Sequence, residues 1–287
     1  MAVPRIIRQP EDMRAEVLAG RAAGRRVGFV PTMGALHAGH LSLVEAAAAE
    51  CGDVAVSIFV NPTQFGPGED FDRYPRVPEA DVALLAARGV RWIHMPAVED
   101  VYPPGAATRV VVEGPARGFE GDVRPGHFTG VATVVCRLFH AVPADVAYFG
   151  AKDWQQTLVV RRMVRDLGLP IEIRVQPTVR EADGLALSSR NAYLSADERR
   201  RAPAIFASLE GAASLWTAGA DPAAVERAMR ATLEARGITV DYAAVVDAES
   251  LEPPLRGPRP VIALVAGRLG ATRLIDNLLL PPRSRPD

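Results

Sequence analysis

The sequence predicts an α/β protein with a doubly wound parallel sheet, followed by a second, smaller α+β domain. Three observations lead to this prediction. Short apolar segments alternate with helix-like segments five times between residues 26 and 179, and the pattern changes near residue 180. A chain of 287 residues, 48% of them hydrophobic, is long enough for two domains or one large one.

The first strand–helix–strand pattern lies between residues 26 and 60. RVGFV (26–30) predicts a short apolar strand, HLSLVEAAAAE (40–50) an apolar-periodic helix, and DVAVSIFV (53–60) a second strand rich in β-branched residues. Strand, helix and strand in so short a segment predict a βαβ unit. Such a unit has parallel strands and a right-handed crossover.

The alternation continues to residue 179. PEADVALLAARG (78–89) begins with proline and ends with glycine, as helices often do. The same reasoning predicts a strand at 90–95, a buried helix at 129–142, a strand at 145–149, an amphipathic helix at 154–168 and a last strand at 171–179.

The smaller domain follows a polar loop, READGLALSSRNAYLS (180–195). Two alanine-rich helices are predicted around 197–218 and 221–236, and then strands at 238–246 and 261–267 with a proline-rich connection. Helices grouped before strands predict an α+β arrangement. We therefore divide the chain into 1–179 and 180–287, and we expect PPRSRPD (281–287) to be a frayed tail.

Composition excludes several classes of function. The formal charge of −1 gives no electrostatic reason to expect binding to nucleic acid or to an anionic membrane. No apolar run approaches the roughly 18 residues that cross a bilayer, and the N-terminal MAVPRIIRQPEDMRAE is charged throughout, unlike a signal peptide. Cys51 and Cys136 cannot build a disulfide framework. We expect a cytoplasmic protein.

Lys152 is the only lysine among 33 basic residues. Codon usage can produce such a bias toward arginine. A lysine that survives it is a candidate binding residue, because a compact ammonium fits where a guanidinium fork does not. The alternative is a solvated surface lysine.

The segment PTMGALHAGH (31–40) is the first candidate for a ligand site. It follows a predicted strand, where ligands bind in parallel α/β sheets. Gly34 and Gly39 permit close approach of a backbone, and the helix that follows begins with amide groups that attract phosphate. His37 and His40 could donate hydrogen bonds to phosphate oxygens.

Other interpretations of this segment remain open. An H-x-x-H pair can bind zinc, but the glutamate of H-E-x-x-H and a clear third ligand are missing. Neither G-x-G-x-x-G nor G-K-[ST] is present, so a dinucleotide fingerprint and a P-loop are excluded. A solvated turn with two inactive histidines is the remaining alternative.

Six segments of the chain resemble one family. H-x-G-H after a strand resembles the signature of the nucleotidyltransferase superfamily that includes class I aminoacyl-tRNA synthetases. In order and spacing, the six resemble the pantothenate synthetase (pantoate–β-alanine ligase) family. They are PTMGALHAGH (31–40), FVNPTQFGPGEDFDRYPR (59–76), RPGHFTGVATVV (124–135), FGAKDWQQ (149–156), READGLALSSRN (180–191) and TRLIDN (272–277).

The resemblance implies an activity and an organisation. Members of the family join pantoate to β-alanine with ATP and Mg²⁺ through a pantoyl-adenylate, and release pyrophosphate and then AMP. The resemblance implies a Rossmann-like domain (1–179) that binds nucleotide and pantoate, a lid domain (180–287) and a homodimer. Two alternative functions remain open: another nucleotidyltransferase with a phosphate acceptor, and a non-catalytic nucleotide-binding module.

The resemblance also implies the catalytic and ATP-binding residues. His37 and His40 would contact the ATP phosphates, His40 as proton donor, and Lys152 would bind phosphates. Ser188, Ser189 and Arg190 resemble a mobile loop that closes over the β- and γ-phosphates. The full ATP-binding set would be Met33, Gly34, Ala35, Leu36, His37, Ala38, Gly39, His40, Gly150, Ala151, Lys152, Asp153, Val179, Leu187, Ser188, Ser189 and Arg190.

Two glutamines match positions at which the family binds pantoate, and one asparagine is a further candidate. Gln64 and Gln156 would bind pantoate, and Gln64 with Asn61 would bind β-alanine. Neutral amides suit this task, because they bind hydroxyls and a carboxylate oxygen without neutralising the nucleophile.

Further residues have less specific roles. Asp81 is the candidate Mg²⁺ ligand, although PEAD is less acidic than the family pattern. Asn61, Arg124 and His127 are expected either to help build the substrate pocket or to have purely structural roles.

Four other positions complete the expectations. Asp153 either binds the ribose, orients Lys152 or caps a helix. Ala151 stands where many relatives carry glutamate, and the neighbouring backbone is expected to bind in its place. His94 and His140 match no motif, and we interpret them as packing residues.

Overall fold

The computed structural model describes residues 3–255 and 259–283. The chain divides into two compact units. Unit 1 comprises Met1–Ala151 and Gln155–Pro177, and unit 2 comprises Lys152–Trp154 and Thr178–Asp287. The tail expected at 281–287 lies outside the described residues from position 284 onward.

Unit 1 is built on a six-stranded sheet in which every neighbouring pair is parallel. The strands are β1 (Arg5–Ile7), β2 (Val27–Thr32), β3 (Asp53–Ile58), β4 (Trp92–His94), β5 (Val146–Gly150) and β6 (Glu172–Gln176). The helices are α1 (Pro10–Ala22), α2 (Ala38–Glu50), α3 (Pro78–Ala86), α4 (Val98–Val101), α5 (Glu120–Val123), α6 (His127–Ala141) and α7 (Trp154–Asp166).

Both faces of this sheet are covered, which confirms the predicted doubly wound arrangement. Phe29 and Phe149 belong to one core with residues of α1, α6 and α7. Their neighbours along the strands, Val30 and Tyr148, belong to another core with residues of α2 and α3. Successive residues of a strand point to opposite faces of the sheet. Because both faces are covered here, nearly every residue of β2, β3, β4 and β5 is buried, and these strands are apolar along almost their whole length.

The direction in which successive strands are added to the sheet reverses between β2 and β5. The order is β1-β4-β3-β2-β5-β6, so the chain runs outward from β2 in one direction and then returns to start β5 on its other side. In open parallel sheets, ligands bind at the carboxyl ends of the strands beside such a reversal. There β2 leads into residues 33–37 and β5 into residues 151–153.

The described part of unit 2 contains three α-helices and a three-stranded antiparallel sheet, which confirms the predicted α+β character. The helices are α8 (Ala196–Arg201), α9 (Ala204–Thr217) and α10 (Pro222–Glu234). The strands are β7 (Thr239–Asp247), β8 (Val261–Leu269) and β9 (Thr272–Leu280), in that order in the sheet. Leu209 of α9 and Leu233 of α10 pack with Ala263 of β8 in its core.

Several elements differ from the sequence-based prediction. The strand β1, the helix α1 and the strand β9 were not predicted, although α1 begins with Pro10 and two acidic residues, as helices often do. The helix predicted at 197–218 is interrupted before α9, where Pro203 lacks an amide hydrogen. No helix among residues 3–255 and 259–283 is long and apolar enough to cross a membrane.

Candidate active site

The loop after β2 owes its shape to a buried carboxylate. Gly34 and Ala35 both have positive φ angles, +80° and +49°. Asp81 of α3 is 1% exposed, and its two oxygens accept hydrogen bonds from the backbone amides of Ala35 (2.9 Å) and Leu36 (2.8 Å). A Cβ at Gly34 would lie 2.9 Å from Asp81 Oδ2, so only glycine fits between them.

These hydrogen bonds bear on the expected metal ligand. Burial raises the pKa of Asp81, and the amides of Leu36 and Ala35 act in the opposite direction. Both carboxylate oxygens are engaged by the loop. Among the residues that the structure describes, no group of three or more His, Cys, Asp or Glu side chains could hold a metal ion. The assignment of Mg²⁺ to Asp81 stays a prediction.

His37 and His40 form a reciprocal cap at the start of α2. Nδ1 of His37 accepts a hydrogen bond from the amide of Gly39 (3.2 Å), and the amide of His37 donates to Nδ1 of His40 (3.4 Å). The two ring centroids are 4.1 Å apart. This arrangement satisfies amide groups that the first turn of a helix would otherwise leave without partners.

The cap determines the tautomer of both imidazoles. A ring nitrogen that accepts a hydrogen bond carries no proton, so each neutral ring holds its proton on Nε2. Each Nε2–H is then a donor at a helix N-terminus, where the dipole and the backbone amides favour anions. The pair therefore has the chemistry needed to bind phosphate oxygens.

A short turn after β3 positions Gln64. Asn61 is 1% exposed, and its Nδ2 donates to Gln64 Oε1 (3.1 Å) and to the Gly130 carbonyl (3.2 Å). Asn61 Oδ1 accepts from the Tyr102 hydroxyl (2.8 Å). Gln64 Nε2 lies 3.1 Å from the sulfur of Met33 in the loop after β2. The structure therefore brings Met33, Asn61 and Gln64 together; the predicted contact of Asn61 with β-alanine stays a prediction.

Gly130 of α6 allows this turn to lie directly against the helix. A Cβ at Gly130 would be 2.2 Å from the carbonyl oxygen of Thr63 and 2.7 Å from the Cα of Gln64. Real Cβ atoms do not approach other atoms so closely. The position was not singled out from the sequence, because nothing local reveals which residue faces the glycine.

Arg124 and His127 form a polar group with Glu69. Arg124 makes two hydrogen bonds of 2.7 Å to the carboxylate of Glu69, and His127 Nδ1 donates to the carbonyl of Gln64 (2.8 Å). Arg124 also lies 3.0 Å from His127 Nε2. Glu69 was not predicted, although it lies within one of the quoted motifs.

The ionisation of this group follows from burial and charge. Burial, with the positive charge of Arg124, lowers the pKa of His127 to about 4, so the ring is neutral and its Nε2 can accept from Arg124. Burial raises the pKa of Glu69, but the hydrogen bonds and charge of Arg124 outweigh it and bring the pKa to about 2.

The two adjacent glutamines of α7 have different environments. Gln155 is buried; its Oε1 accepts from the Glu120 amide (3.0 Å) and its Nε2 donates to carbonyls of Pro115, Arg117 and Gly118. Gln156 is half-buried and lies about 100° further around the helix. Gln155 thus holds a loop, and Gln156 remains the candidate for pantoate.

In unit 2, Lys152 and Asp153 follow the end of β5 in a single 3₁₀ turn, Ala151–Asp153. Lys152 Nζ lies 3.8 Å from Asp153 Oδ1, and the Lys152 side chain is 20% exposed. The carbonyl of Lys152 accepts a hydrogen bond from Nδ2 of Asn277 (2.8 Å). Asp153 is therefore close enough to orient the ammonium of Lys152.

The segment expected to bind phosphates is a hairpin followed by a turn. The amide of Leu187 donates to the carbonyl of Val179 (3.0 Å). Ser188 Oγ accepts from the amide of Arg190 (3.3 Å) at the start of the 3₁₀ turn Ser189–Tyr193. Ser188 caps this turn as a serine caps a helix.

The two remaining histidines differ. His94 is fully buried and donates from Nδ1 to the carbonyl of Ile7 (3.1 Å), and burial lowers its pKa, as expected of a packing residue. His140 is exposed near the end of α6 and bonds to the carbonyl of Cys136 (2.8 Å). The interpretation of His140 as a packing residue is therefore wrong.

Comparison with known proteins identifies one family over nearly the whole chain. A family model described as pantoate-β-alanine ligase matches residues 5–279. A pantothenate synthetase of Herpetosiphon aurantiacus is 51% identical over 268 residues, which is 92% of this chain and 97% of the relative. A pantothenate synthetase of Thermus thermophilus is 55% identical over 261 residues, 89% of this chain and 94% of the relative.

Solved structures agree in fold. A crystal structure of pantoate-β-alanine ligase (pantothenate synthetase) from Thermus thermophilus matches with a TM-score of 0.90 and 51% identity; the match covers 96% of this chain and 100% of that one. A pantoate-β-alanine ligase from Francisella tularensis, complexed with β-γ ATP and β-alanine, matches with a TM-score of 0.80 and 32% identity, over 96% and 97% of the two chains.

Proposed function

The chain belongs to the pantoate–β-alanine ligase family, and we propose that it joins pantoate to β-alanine at the expense of ATP. The observation that carries this proposal lies at the carboxyl edge of β2. There the paired imidazoles of His37 and His40 cap α2, and Met33 of the same loop contacts the amide of Gln64. Donors for a polyphosphate and a neutral amide for an organic acid thus occur on two neighbouring segments, the loop after β2 and the turn after β3, which are in contact through Met33 and Gln64.

The first step is formation of a pantoyl-adenylate. A carboxylate oxygen of pantoate forms a bond to the α-phosphorus of ATP, and the bond from that phosphorus to the bridging oxygen of the β-phosphate breaks, so pyrophosphate leaves with the electron pair. No enzymic nucleophile is required. The protein must position the two reactants and supply donors where charge accumulates.

The imidazoles and Lys152 are proposed to supply those donors. The Nε2–H groups of His37 and His40 would hydrogen-bond to phosphate oxygens, with His40 as the proton donor toward the departing pyrophosphate. The ammonium of Lys152 would neutralise charge at the transferring phosphorus. Opposite unit charges about 4 Å apart at an effective dielectric constant near 20 interact by about 4 kcal/mol, enough to change a rate by orders of magnitude.

The second step forms the amide. The amine of β-alanine bonds to the acyl carbon, the carbon–oxygen bond to AMP breaks, and the amine nitrogen releases a proton. Gln64 is proposed to bind both acids, together with Gln156 for pantoate and Asn61 for β-alanine.

The remaining ATP contacts are proposed by family resemblance. The residues are Met33, Gly34, Ala35, Leu36, Ala38, Gly39, Gly150, Ala151, Asp153, Val179, Leu187, Ser188, Ser189 and Arg190.

Magnesium is proposed to enter with the nucleotide. Mg²⁺ is commonly held by substrate phosphates, one or two carboxylates and water, rather than by a cage of protein ligands. The described residues offer no such cage, and both oxygens of Asp81 accept backbone hydrogen bonds. When bound, the ion would neutralise phosphate charge.

The organisation of the protein is proposed from the same family. Residues 1–179 would bind nucleotide and pantoate, and residues 180–287 would act as a lid. A homodimer would have a mass of about 61 kDa, twice the 30.7 kDa of one chain, which light scattering measures directly. A cytoplasmic location is supported by the thiols of Cys51 and Cys136, neither of which is in a disulfide.

An assay of AMP and pyrophosphate tests the proposed reaction. Purified protein with Mg²⁺ and ATP should produce AMP in quantity only when pantoate and β-alanine are both present, and pantoate alone should support exchange of pyrophosphate into ATP. A nucleotidyltransferase with a phosphate acceptor would release pyrophosphate only when that acceptor is added, and it would release no AMP. A binding module would release neither, and either result would contradict the proposal.

A further inference from the structure

Arg180, Asp276 and Asn277 form a buried polar group in unit 2. Arg180 makes two hydrogen bonds to the carboxylate of Asp276, of 2.6 and 3.1 Å, and the Asp276 side chain is fully buried. Asn277 follows it on β9 and is 6% exposed. The READG and TRLIDN motifs, which stand at opposite ends of unit 2 in sequence, therefore meet through an ion pair.

This group contacts the backbone of Lys152. Nδ2 of Asn277 donates to the Lys152 carbonyl at 2.8 Å. The positive charge of Lys152 also favours the ionised form of Asp276, against the burial that raises the pKa of Asp276. The residue that is proposed to bind phosphate is thus fixed, through its own carbonyl, to a side chain 125 positions away.

The same group contacts the hairpin that leads to Ser188. Arg180 donates to the carbonyls of Gly184 (3.1 Å) and Asn277 (3.3 Å), and its guanidinium lies 3.8 Å from the centre of the Phe206 ring. Gly184 has a φ of +89°, and a Cβ there would lie 2.4 Å from Phe206. The turn of the hairpin is therefore fixed against both the guanidinium and the ring.

A contribution to folding stability does not by itself explain why Arg180, Asp276 and Asn277 occupy these positions. Aspartate and asparagine are poor strand formers, and a buried ion pair is often no more stable than apolar residues of the same volume. Yet Asp276 and Asn277 occupy buried positions in a strand whose sheet packs on an apolar core. The side-chain amide of Asn277 donates to the Lys152 carbonyl, and the carboxylate of Asp276 accepts from Arg180, which in turn donates to the carbonyl of Gly184 in the hairpin.

We propose, on the basis of the proposed function, that Arg180, Asp276 and Asn277 are positioning residues that hold Lys152 and the 184–188 segment in the arrangement that binds ATP phosphates. Asn277 fixes the Lys152 backbone, and the Arg180–Asp276 pair fixes the hairpin and the strand that carries Asn277. None of the three is proposed to contact the reacting atoms.

A double-mutant cycle between Asn277 and Lys152 tests this inference. Asn277→Ala removes one buried hydrogen bond to the Lys152 carbonyl, which should reduce pyrophosphate exchange about tenfold. In a Lys152→Ala background the same change should reduce exchange by less than about twofold, because the group it positions is gone. Asn277→Ser, which keeps a hydroxyl donor, should recover part of the loss.

The matched control is a second ion pair on β9. Arg273 Nε lies 2.6 Å from Asp241 Oδ2, with side chains 14% and 16% exposed, in the same three-stranded sheet. Asp241→Asn disturbs this sheet without touching Lys152. Its effect should be small and equal in both backgrounds. Equal effects of Asn277→Ala in both backgrounds would overturn the inference and leave Asn277 a structural residue.

The affinity for ATP separates this inference from the proposed function. Calorimetric titration of the four proteins of the cycle with Mg²⁺–ATP requires no turnover. If the wild-type chain formed no adenylate but its ATP affinity showed the coupling, the proposed reaction would fail and the positioning role would stand. If adenylate formed but neither pyrophosphate exchange nor ATP affinity showed coupling between Asn277 and Lys152, the positioning role would be contradicted and the proposed reaction would stand.

Discussion

The amide of His37 donates a hydrogen bond to Nδ1 of His40, while Nδ1 of His37 accepts one from the amide of Gly39. Each imidazole therefore has a structural task at one nitrogen and a proposed chemical task at the other. Capping and phosphate binding can be separated experimentally, because the two tasks use different atoms of the same ring.

His40→Asn should separate the two tasks. The asparagine oxygen can accept the amide of His37 as Nδ1 does, so the melting temperature should change little. The Nε2 donor is lost, and pyrophosphate exchange should fall about a hundredfold, as on removal of one transition-state donor. Retention of more than a third of the exchange rate would remove His40 from the mechanism.

Asp81→Asn tests whether this carboxylate holds the loop or the metal. An asparagine can accept from only one of the two amides of Ala35 and Leu36, and its NH₂ group faces the other. Leaving one buried amide without a partner should lower the free energy of unfolding by about 1–3 kcal/mol, measured by urea denaturation.

The magnesium dependence of the Asp81→Asn protein distinguishes the two roles. If the loop is the only partner of Asp81, the Mg²⁺ concentration for half-maximal activity should stay within about twofold of the wild-type value, whereas loss of a charged metal ligand would raise it tenfold or more. A shift of that size would establish Asp81 as a ligand after all.

Gly130→Ala should displace the turn that carries Gln64. The added methyl group would overlap the Thr63 carbonyl, and overpacking of this kind costs about 1–3 kcal/mol of stability. The Michaelis constants for pantoate and β-alanine should rise more than that for ATP. Gly211 of α9 is the control, because a Cβ there meets nothing within 4 Å; Gly211→Ala should be neutral or stabilising. Similar behaviour of the two variants would contradict the account.

Lys152→Ala should lower the rate of adenylate formation about a hundred- to a thousandfold, by analogy with removal of one transition-state donor. Lys152→Arg keeps the charge, but its planar fork should not reproduce a compact ammonium, so we expect only partial activity. Single-turnover formation of pyrophosphate measures both. A loss of less than about fivefold in Lys152→Ala would exclude this residue from the chemistry.

The free energy of unfolding should fall as the pH is lowered from about 6.5 toward 4. The pKa of His127 is lowered from 6.5 to about 4 in the folded chain, beside Arg124, Glu69 and Glu120. Between these values the unfolded chain binds a proton that the folded chain does not, so stability is complete above 6.5 and is lost as the pH falls. At about 1.4 kcal/mol per pKa unit, the loss is about 3 kcal/mol.

His127→Asn provides the control for this pH dependence. Asparagine can donate to the Gln64 carbonyl and does not titrate, so its unfolding free energy should depend less on pH over the interval 6.5–4.5. Glu69, whose pKa is lowered to about 2, loses its stabilising effect only below about 4.5 and does not interfere in that interval. Equal slopes for the two proteins would show that His127 is not the titrating group.

The parallel sheet could be predicted from the sequence because its signals are local. Apolar strands such as β2 and β3 and the periodic helix between them are visible within short windows. The strand β9 could not be recognised in the same way, because Asp276 and Asn277 are poor strand formers and their buried hydrogen bonds reach residues distant in sequence.

In the candidate site, too, features with a local sequence signal could be predicted, and features that depend on distant residues could not. The motifs placed His37, His40 and Lys152 at the ends of predicted strands, where parallel sheets bind ligands. The hydrogen bonds that hold the loops of the site were not predicted, because their partners are distant in sequence: Asp81 lies 46 residues from Ala35, and Glu69 lies 55 residues from Arg124. Which side chains meet over such distances is decided by the packing of the whole unit.

An isotope-transfer measurement tests the central claim most directly. Pantoate labelled with ¹⁸O in its carboxylate should be converted, with β-alanine and Mg²⁺–ATP, and the products separated for mass spectrometry. If the carboxylate attacks the α-phosphorus, one labelled oxygen should appear in AMP and none in pyrophosphate. Label in inorganic phosphate, or unlabelled AMP, would contradict a pantoyl-adenylate.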